Sequence, residues 1–266
     1  MGSFLLLLLI ISIIHAYFIN NIKSLKPPMI YFGGASWGCA YYIGCYKAMQ
    51  RKWGNMNNIK IYGDSSGALI ALTIVLQMNV KDIINIYTDL ANEAKNNGVF
   101  FKMTKYHNKA LNRILKNKDD YLKVNNKLSI GTTTIDGKHI RTESWNSNQD
   151  LISDLHASFH IPFYCTYPAY KNKKMCVDGA FSVNLGSFPR NAILIGMEKK
   201  YDINGNLTNK ECMFPLMDKN LLKIVDNGYN DFMAYKLLYT PRITFYNIPL
   251  IIWYLIRIIE YPFTNV

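Results

Sequence analysis

The feature that most constrains this chain is the pentapeptide Gly63-Asp64-Ser65-Ser66-Gly67, set between two runs of opposite periodicity. Residues 59–62, Ile59-Lys60-Ile61-Tyr62, read as a short strand. Residues 68–77 carry Leu69, Ile70, Leu72 and Val75 at helical spacing. A G-x-S-x-G placed where a strand gives way to a helix predicts a turn so tight that its flanking positions must lack side chains. Such a turn lifts the hydroxyl of Ser65 to the N-terminus of the helix and makes it a candidate nucleophile. The competing reading is a serine that merely caps a buried helix.

The same alternation extends along the chain. Strands are expected at 29–32, 128–134, 138–142, 175–177 and 192–196, and helices at 39–51, 80–95, 107–116 and 150–157, with Pro162 closing the last. Asp136-Gly137 marks a turn between two of the strands. Strands alternating with helices predict a three-layer α/β sandwich on a mainly parallel central sheet. The 266 residues contain no repeat and no linker rich in Pro, Gly or Ser, so one domain over 27–240 is expected.

Composition narrows the classes. Half the residues are hydrophobic and only 18% are charged, which excludes a disordered chain and suits contact with lipid or a large apolar ligand. The net charge of +12 favours anionic surfaces. The basic residues are scattered and no nucleic-acid motif accompanies them, so an anionic membrane is the expected partner rather than DNA or RNA. The five cysteines form an odd set without a CxxC pair, which signals neither a disulfide framework nor a metal site and suits a reducing compartment.

Residues 2–22 contain no Asp, Glu, Lys or Arg, and segment 1–26 reads as a hydrophobic membrane anchor or, alternatively, a signal peptide. Basic residues follow it and none precedes it, so the positive-inside tendency leaves the rest of the chain on the cytoplasmic side, with a secreted or lumenal domain as the alternative. Segment 241–266 is apolar again, but Asn247, Pro249 and Arg257 interrupt it, which suits a helix lying in a membrane surface or one packed on the domain.

A nucleophilic serine needs a base within hydrogen-bond reach. His15, His107, His139, His156 and His160 all precede the later acidic candidate, Asp178, and no histidine follows residue 160, so the usual Ser-Asp-His order of an α/β hydrolase is absent. A carboxylate acting alone is the better expectation. Asp178 sits in Val177-Asp178-Gly179-Ala180, after a short apolar strand and before residues without bulk, where a carboxylate would face a crevice at a strand end. An Asx turn that only bonds its own backbone is the alternative. Gly33, Gly34 and Gly38, in the loop after the first strand, are candidates for backbone donors to a developing oxyanion. Dinucleotide and Walker A spacings are missing from that loop.

Four blocks in order, the Gly-rich loop with Tyr41-Tyr42-Ile43-Gly44, the Gly63 to Gly67 turn, Ala157-Ser158-Phe159-His160-Ile161-Pro162, and Val177 to Ala180, resemble the patatin-like phospholipase family. The stretch from Leu128 to Thr133 and Ile161 to Tyr164 looks most like its animal-type branch of lipid-droplet lipases and transacylases. The resemblance implies a Ser-Asp dyad of Ser65 and Asp178, an oxyanion hole at Gly33, Gly34 and Gly38, a nucleophile elbow framed by Gly63 and Gly67, and a dyad loop at Gly179 and Ala180. It also implies phospholipid or acylglycerol esters as substrates, hydrolysis or transacylation as the reaction, and no metal or organic cofactor; the alternative is a lipid-binding membrane protein whose altered Gly33–Gly38 loop no longer supports turnover. The chain departs from the family's usual pattern at Ala35, Ser36 and Trp37 in the loop, and at Ala180, where a second glycine is common. Past residue 196 the resemblance stops.

Overall fold

The computed structural model describes residues 29–235 apart from 172 and 190, and the two apolar terminal segments expected from the sequence lie outside the described residues. Its strands are β1 (Met29–Phe32), β2 (Lys60–Asp64), β3 (Leu128–Thr134), β4 (His139–Thr142), β5 (Ala169–Lys171), β6 (Lys174–Val177), β7 (Ile193–Gly196) and β8 (Ile203–Asn204). They form one sheet in the order β5-β6-β3-β2-β1-β7-β8, with β4 also paired to β3. The run from β3 through β8 is parallel, whereas β4, β5 and β6 add an antiparallel margin.

Every residue of β1 and β3 is buried. A strand buried on both faces must be covered on both, which yields the expected three-layer α/β arrangement. The covering helices are α1 (Ala40–Trp53), α2 (Ser66–Val75), α3 (Val80–Asn97), α4 (Met103–Ile114), α5 (Asp120–Val124), α6 (Asn148–Ser158), α7 (Asn209–Met213) and α8 (Asp218–Ala234). Helix α2 packs on β1, β2 and β3, α6 on β3 and β5, and α1 on both α3 and α8.

Two boundaries differ instructively from the sequence reading. Strand β2 does not break at Gly63 but continues through it to Asp64, because Gly63 pairs in register with Phe32 of β1 and Ile130 of β3. Helix α4 begins at Met103, four residues earlier than expected, because the chain entering it is tied by Met103 N–H to Tyr164 O at 3.2 Å. Past residue 196, α8 buries Leu221, Ile224, Val225 and Phe232 at spacings of three, four and seven, the pattern of an amphipathic helix. Among the described residues no helix is long and apolar enough to cross a membrane.

Candidate active site

Ser65 occupies the single residue between β2 and α2, with φ 56° and ψ −137°. A side chain at positive φ is uncommon and strained, and the neighbouring contacts explain why the strain persists. A Cβ on Gly63 would stand 2.5 Å from the Ala68 backbone, and one on Gly67 would run into the carbonyls of Phe32 and Gly33. Only glycine allows α2 to start this close to the ends of β1 and β2. The elbow is then pinned by two hydrogen bonds: Ser65 N–H donates to Ser158 Oγ at 2.9 Å, and Ala35 N–H donates to Ser66 Oγ at 3.1 Å.

Asp178 lies just beyond β6 and is 3% exposed. Its N–H donates to His160 O at 2.8 Å, and its own carbonyl accepts from Thr133 Oγ1 at 2.8 Å, so its backbone is held on both sides. Oδ1 accepts the Ala180 N–H at 2.9 Å, the Asx turn considered from the sequence. That turn uses one oxygen only. Oδ2 is buried and has no hydrogen-bond partner among the described residues.

The serine and the carboxylate meet at Gly34. A Cβ built there would lie 3.3 Å from Ser65 Cβ and 3.7 Å from Asp178 Oδ1, with Ala180 Cβ at 2.8 Å. Burial drives the Asp178 carboxyl up to about 7; the nearby Ser65 hydroxyl and the Ala180 N–H restrain that rise, while the charge of Asp64 adds to it. No hydrogen bond of normal length joins the hydroxyl to the carboxyl, a looseness common where catalytic contacts tighten only around substrate. No imidazole among the described residues hydrogen-bonds the Ser65 hydroxyl or the Asp178 carboxyl. His107 is held neutral by burial, which takes its pKa down to about 3, and His139 faces Asp64 instead.

The loop glycines separate into different roles. Gly33 N–H is committed to Ile195 O at 2.9 Å and Gly38 N–H to Ala35 O at 2.8 Å, so neither points a free donor at the serine. Gly34, which adjoins both side chains, has no such backbone bond among the described residues.

Ser65 opens onto a partly enclosed cleft. Its walls come from α1, α2, α3, α4 and the residues just after α6, with Ile43, Leu69, Ile86, Leu90, Phe159 and Ile114 among them. The surface offered is overwhelmingly apolar, which suits a long hydrocarbon chain rather than a sugar or nucleotide.

A second buried carboxylate, not singled out by the sequence, sits immediately before the elbow. Asp64 accepts from Tyr31 Oη at 2.7 Å and lies 3.3 Å from both His139 Nε2 and an Arg141 guanidinium nitrogen. The Arg141 guanidinium in turn lies 5.5 Å from the ring centre of Tyr31, 5.2 Å from that of Tyr62 and 5.1 Å from that of Phe188. These partners come together only through the antiparallel register Gly131↔Arg141 of β3 and β4, which no local spacing reveals. The role of Ser158, too, emerges only in three dimensions, although it lies in one of the four sequence blocks.

No family model matches the chain. Omega-hydroxyceramide transacylase of Mus musculus is 25% identical over 169 residues, which cover 59% of this chain and 27% of that protein. The chain therefore spans about a quarter of the length of this curated relative. Among solved structures it is similar to VipD from Legionella pneumophila, with a TM-score of 0.47 and 11% identity over 79% of this chain and 67% of that one. It is also similar to the ExoU–SpcU complex of Pseudomonas aeruginosa, with a TM-score of 0.43 and 12% identity over 78% of this chain and 51% of that one.

Proposed function

We propose that this chain is a patatin-like serine lipid acyl hydrolase, cleaving fatty-acyl esters of phospholipids or acylglycerols through Ser65 and Asp178. One observation carries the reading: a strained serine and a buried carboxylate with an unpartnered oxygen adjoin the same glycine, and the serine opens onto an apolar cleft. The Ser65 hydroxyl attacks the ester carbonyl as Asp178 takes its proton on Oδ2. The Gly34 N–H serves the oxyanion, with Gly33 and Gly38 shaping the loop around it. Collapse of the tetrahedral intermediate expels the alcohol, which receives the proton from Asp178, and leaves the acyl group on Ser65. Water activated by Asp178 then releases the fatty acid and restores the serine.

The 25% identity to a transacylase favours a second outcome of the same chemistry, in which an alcohol rather than water takes the acyl group. Residues 27–240 form the catalytic unit in this reading, and the apolar termini hold it to an anionic membrane with the catalytic unit on the cytoplasmic side. The test pairs a fluorophosphonate probe with a panel of lipid esters, with and without an acceptor alcohol. Labelling at Ser65 that vanishes in Ser65→Ala, together with acyl release or transfer lost in both Ser65→Ala and Asp178→Asn, is expected. Turnover undiminished in Ser65→Ala would overturn the proposal, and folded protein that binds lipid but never labels would make it a binding protein.

A further inference from the structure

Two phenylalanines project from the surface beside the Ser65 cleft under conditions that a folded chain ordinarily avoids. Phe101 is 57% exposed and Phe163 is 73% exposed, and each holds a positive φ, 57° and 66°. For a bulky residue that backbone is an outlier, and outliers persist where surrounding structure enforces them. Here it does. Phe101 N–H donates to Phe163 O at 3.0 Å, Thr166 Oγ1 donates to Phe101 O at 2.7 Å, and Thr166 N–H donates to Thr104 Oγ1 at 3.0 Å. The two rings stand edge to face with centres 6.2 Å apart. Phe100, also exposed, packs edge to face on Phe214 and on Tyr164. The result is a bonded aromatic knob whose backbone is satisfied and whose side chains face water, and an exposed apolar cluster of this kind marks a contact surface.

Position and charge identify what it contacts. Both loops run directly into the wall of the cleft: Met103 lies two residues after Phe101, and Ile161 and Tyr164 flank Phe163. Residues 94–118 contain no Asp or Glu but include Lys95, Lys102, Lys105, Lys109, Arg113, Lys116 and Lys118; residues 155–177 also lack acidic groups and include Lys171, Lys173 and Lys174. Several of these cations pair with acids from elsewhere in the sequence: the exposed Lys105 and Lys109 with Glu93, the exposed Arg113 with Asp89, Lys174 with Asp136, and the largely buried Lys171 with Asp154, which leaves the cations of residues 94–118 as the surface ones beside the knob. Aromatic side chains among lysines, without nearby acids on the same segments, match the boundary between anionic headgroups and acyl chains.

We infer that the knob formed by Phe100, Phe101 and Phe163 inserts into the surface of an anionic bilayer and delivers the mouth of the Ser65 cleft to the lipid. The inference builds on the lipid-acyl reading of that cleft, but it concerns attachment and is testable without turnover. The experiment uses the full chain carrying Ser65→Ala and Cys212→Ser, with an environment-sensitive fluorophore attached at Phe163→Cys. A control carries the label at Asn57→Cys, exposed and preceding β2 at the end of the sheet opposite the elbow. Each protein is mixed with phosphatidylcholine vesicles, with or without phosphatidylglycerol, containing a lipid-borne quencher at shallow depth, and association is followed by flotation. Quenching severalfold stronger at 163 than at 57, and stronger with phosphatidylglycerol, is expected. Protein that floats while the label at 163 remains unquenched would overturn the inference, because the terminal segments would then hold the chain with the knob in water. Equal quenching on neutral vesicles would overturn the anionic preference. A Ser65 that never reacts with a fluorophosphonate would defeat the hydrolase reading and leave this result standing.

Discussion

Asp64 and Asp178 are both buried carboxylates at the ends of strands in one sheet, within electrostatic reach of each other, yet their surroundings differ in kind. Asp64 is met by a phenol, an imidazole and a guanidinium, and the guanidinium is itself held among three aromatic rings. Asp178 receives one backbone N–H, and its second oxygen has neither donor nor counter-charge among the described residues, whereas Asp64 Oδ1, which also lacks a hydrogen bond, faces an Arg141 nitrogen at 3.3 Å. The carboxylate of Asp64, met by side chains from β1 and β4, ties strands together. A carboxylate with an unpartnered oxygen beside a hydroxyl is set to accept a proton. Burial alone does not distinguish structure from chemistry; the count of donors does.

Exchanging the two residues tests this division most severely. Asp178→Asn keeps size and the Ala180 hydrogen bond but removes the proton acceptor, and a loss of about a thousandfold or more in kcat/KM is expected with the fold intact. Asp64→Asn leaves Arg141 without its counter-charge. Because Arg141 is partly exposed, a destabilisation of about 2–3 kcal/mol is expected, at the low end for a broken buried pair, with activity per folded molecule within about tenfold of the wild type. Denaturant unfolding and steady-state kinetics on both variants check the pair; the opposite pattern would exchange the assigned roles.

The pH dependence sharpens the same contrast. Deprotonated Asp178 is the active form, so kcat/KM should fall about tenfold per unit as pH drops below about 7. Stability moves the other way. The folded pKa lies above the ordinary carboxyl value near 4, so the fold favours the protonated acid; this contribution is present below about pH 4 and is lost as pH rises through about 7. Asparagine stays neutral throughout. Asp178→Asn should therefore be more stable than the wild type by about 4 kcal/mol near pH 8 and nearly equal to it near pH 4, as measured by thermal or urea unfolding at the two pH values.

The parts legible in the sequence were those where backbone geometry dictates residue type. The elbow needs glycine at 63 because Ala68 packs against it only five residues later, and β3 was bounded correctly because its apolar and β-branched run ends at the Asp136-Gly137 turn. Helix α8 was not expected although its apolar spacing is regular. In the fold Gly228, in the middle of this helix, admits the close approach of α1, where a Cβ would strike Tyr41 O, a requirement set by a partner far away in the sequence. The enclosure of Asp64 stayed hidden for another reason. Tyr31, His139 and Arg141 reach it from β1 and β4, and only a non-local strand register brings them together. Similarly, the glycine-rich loop signalled donors but not their use, because Ile195 O, which takes the Gly33 N–H, arrives from β7 some 160 residues later.

The smallest effect concerns the serine itself. At φ 56° and ψ −137° Ser65 occupies a region that glycine enters freely and other residues enter at a cost of about 1–3 kcal/mol. Ser65→Ala retains that cost and removes only the hydroxyl, so its stability should stay within about 0.5 kcal/mol of the wild type. Ser65→Gly relieves the backbone but increases the entropy of the unfolded chain by about 0.5–1 kcal/mol, leaving a net gain of about 1 kcal/mol. Both variants are inactive, so any difference between them reports the elbow's strain and not its chemistry. If glycine proved no more stable than alanine, the backbone at 65 would be relaxed, and the tight turn would present the hydroxyl without stored energy.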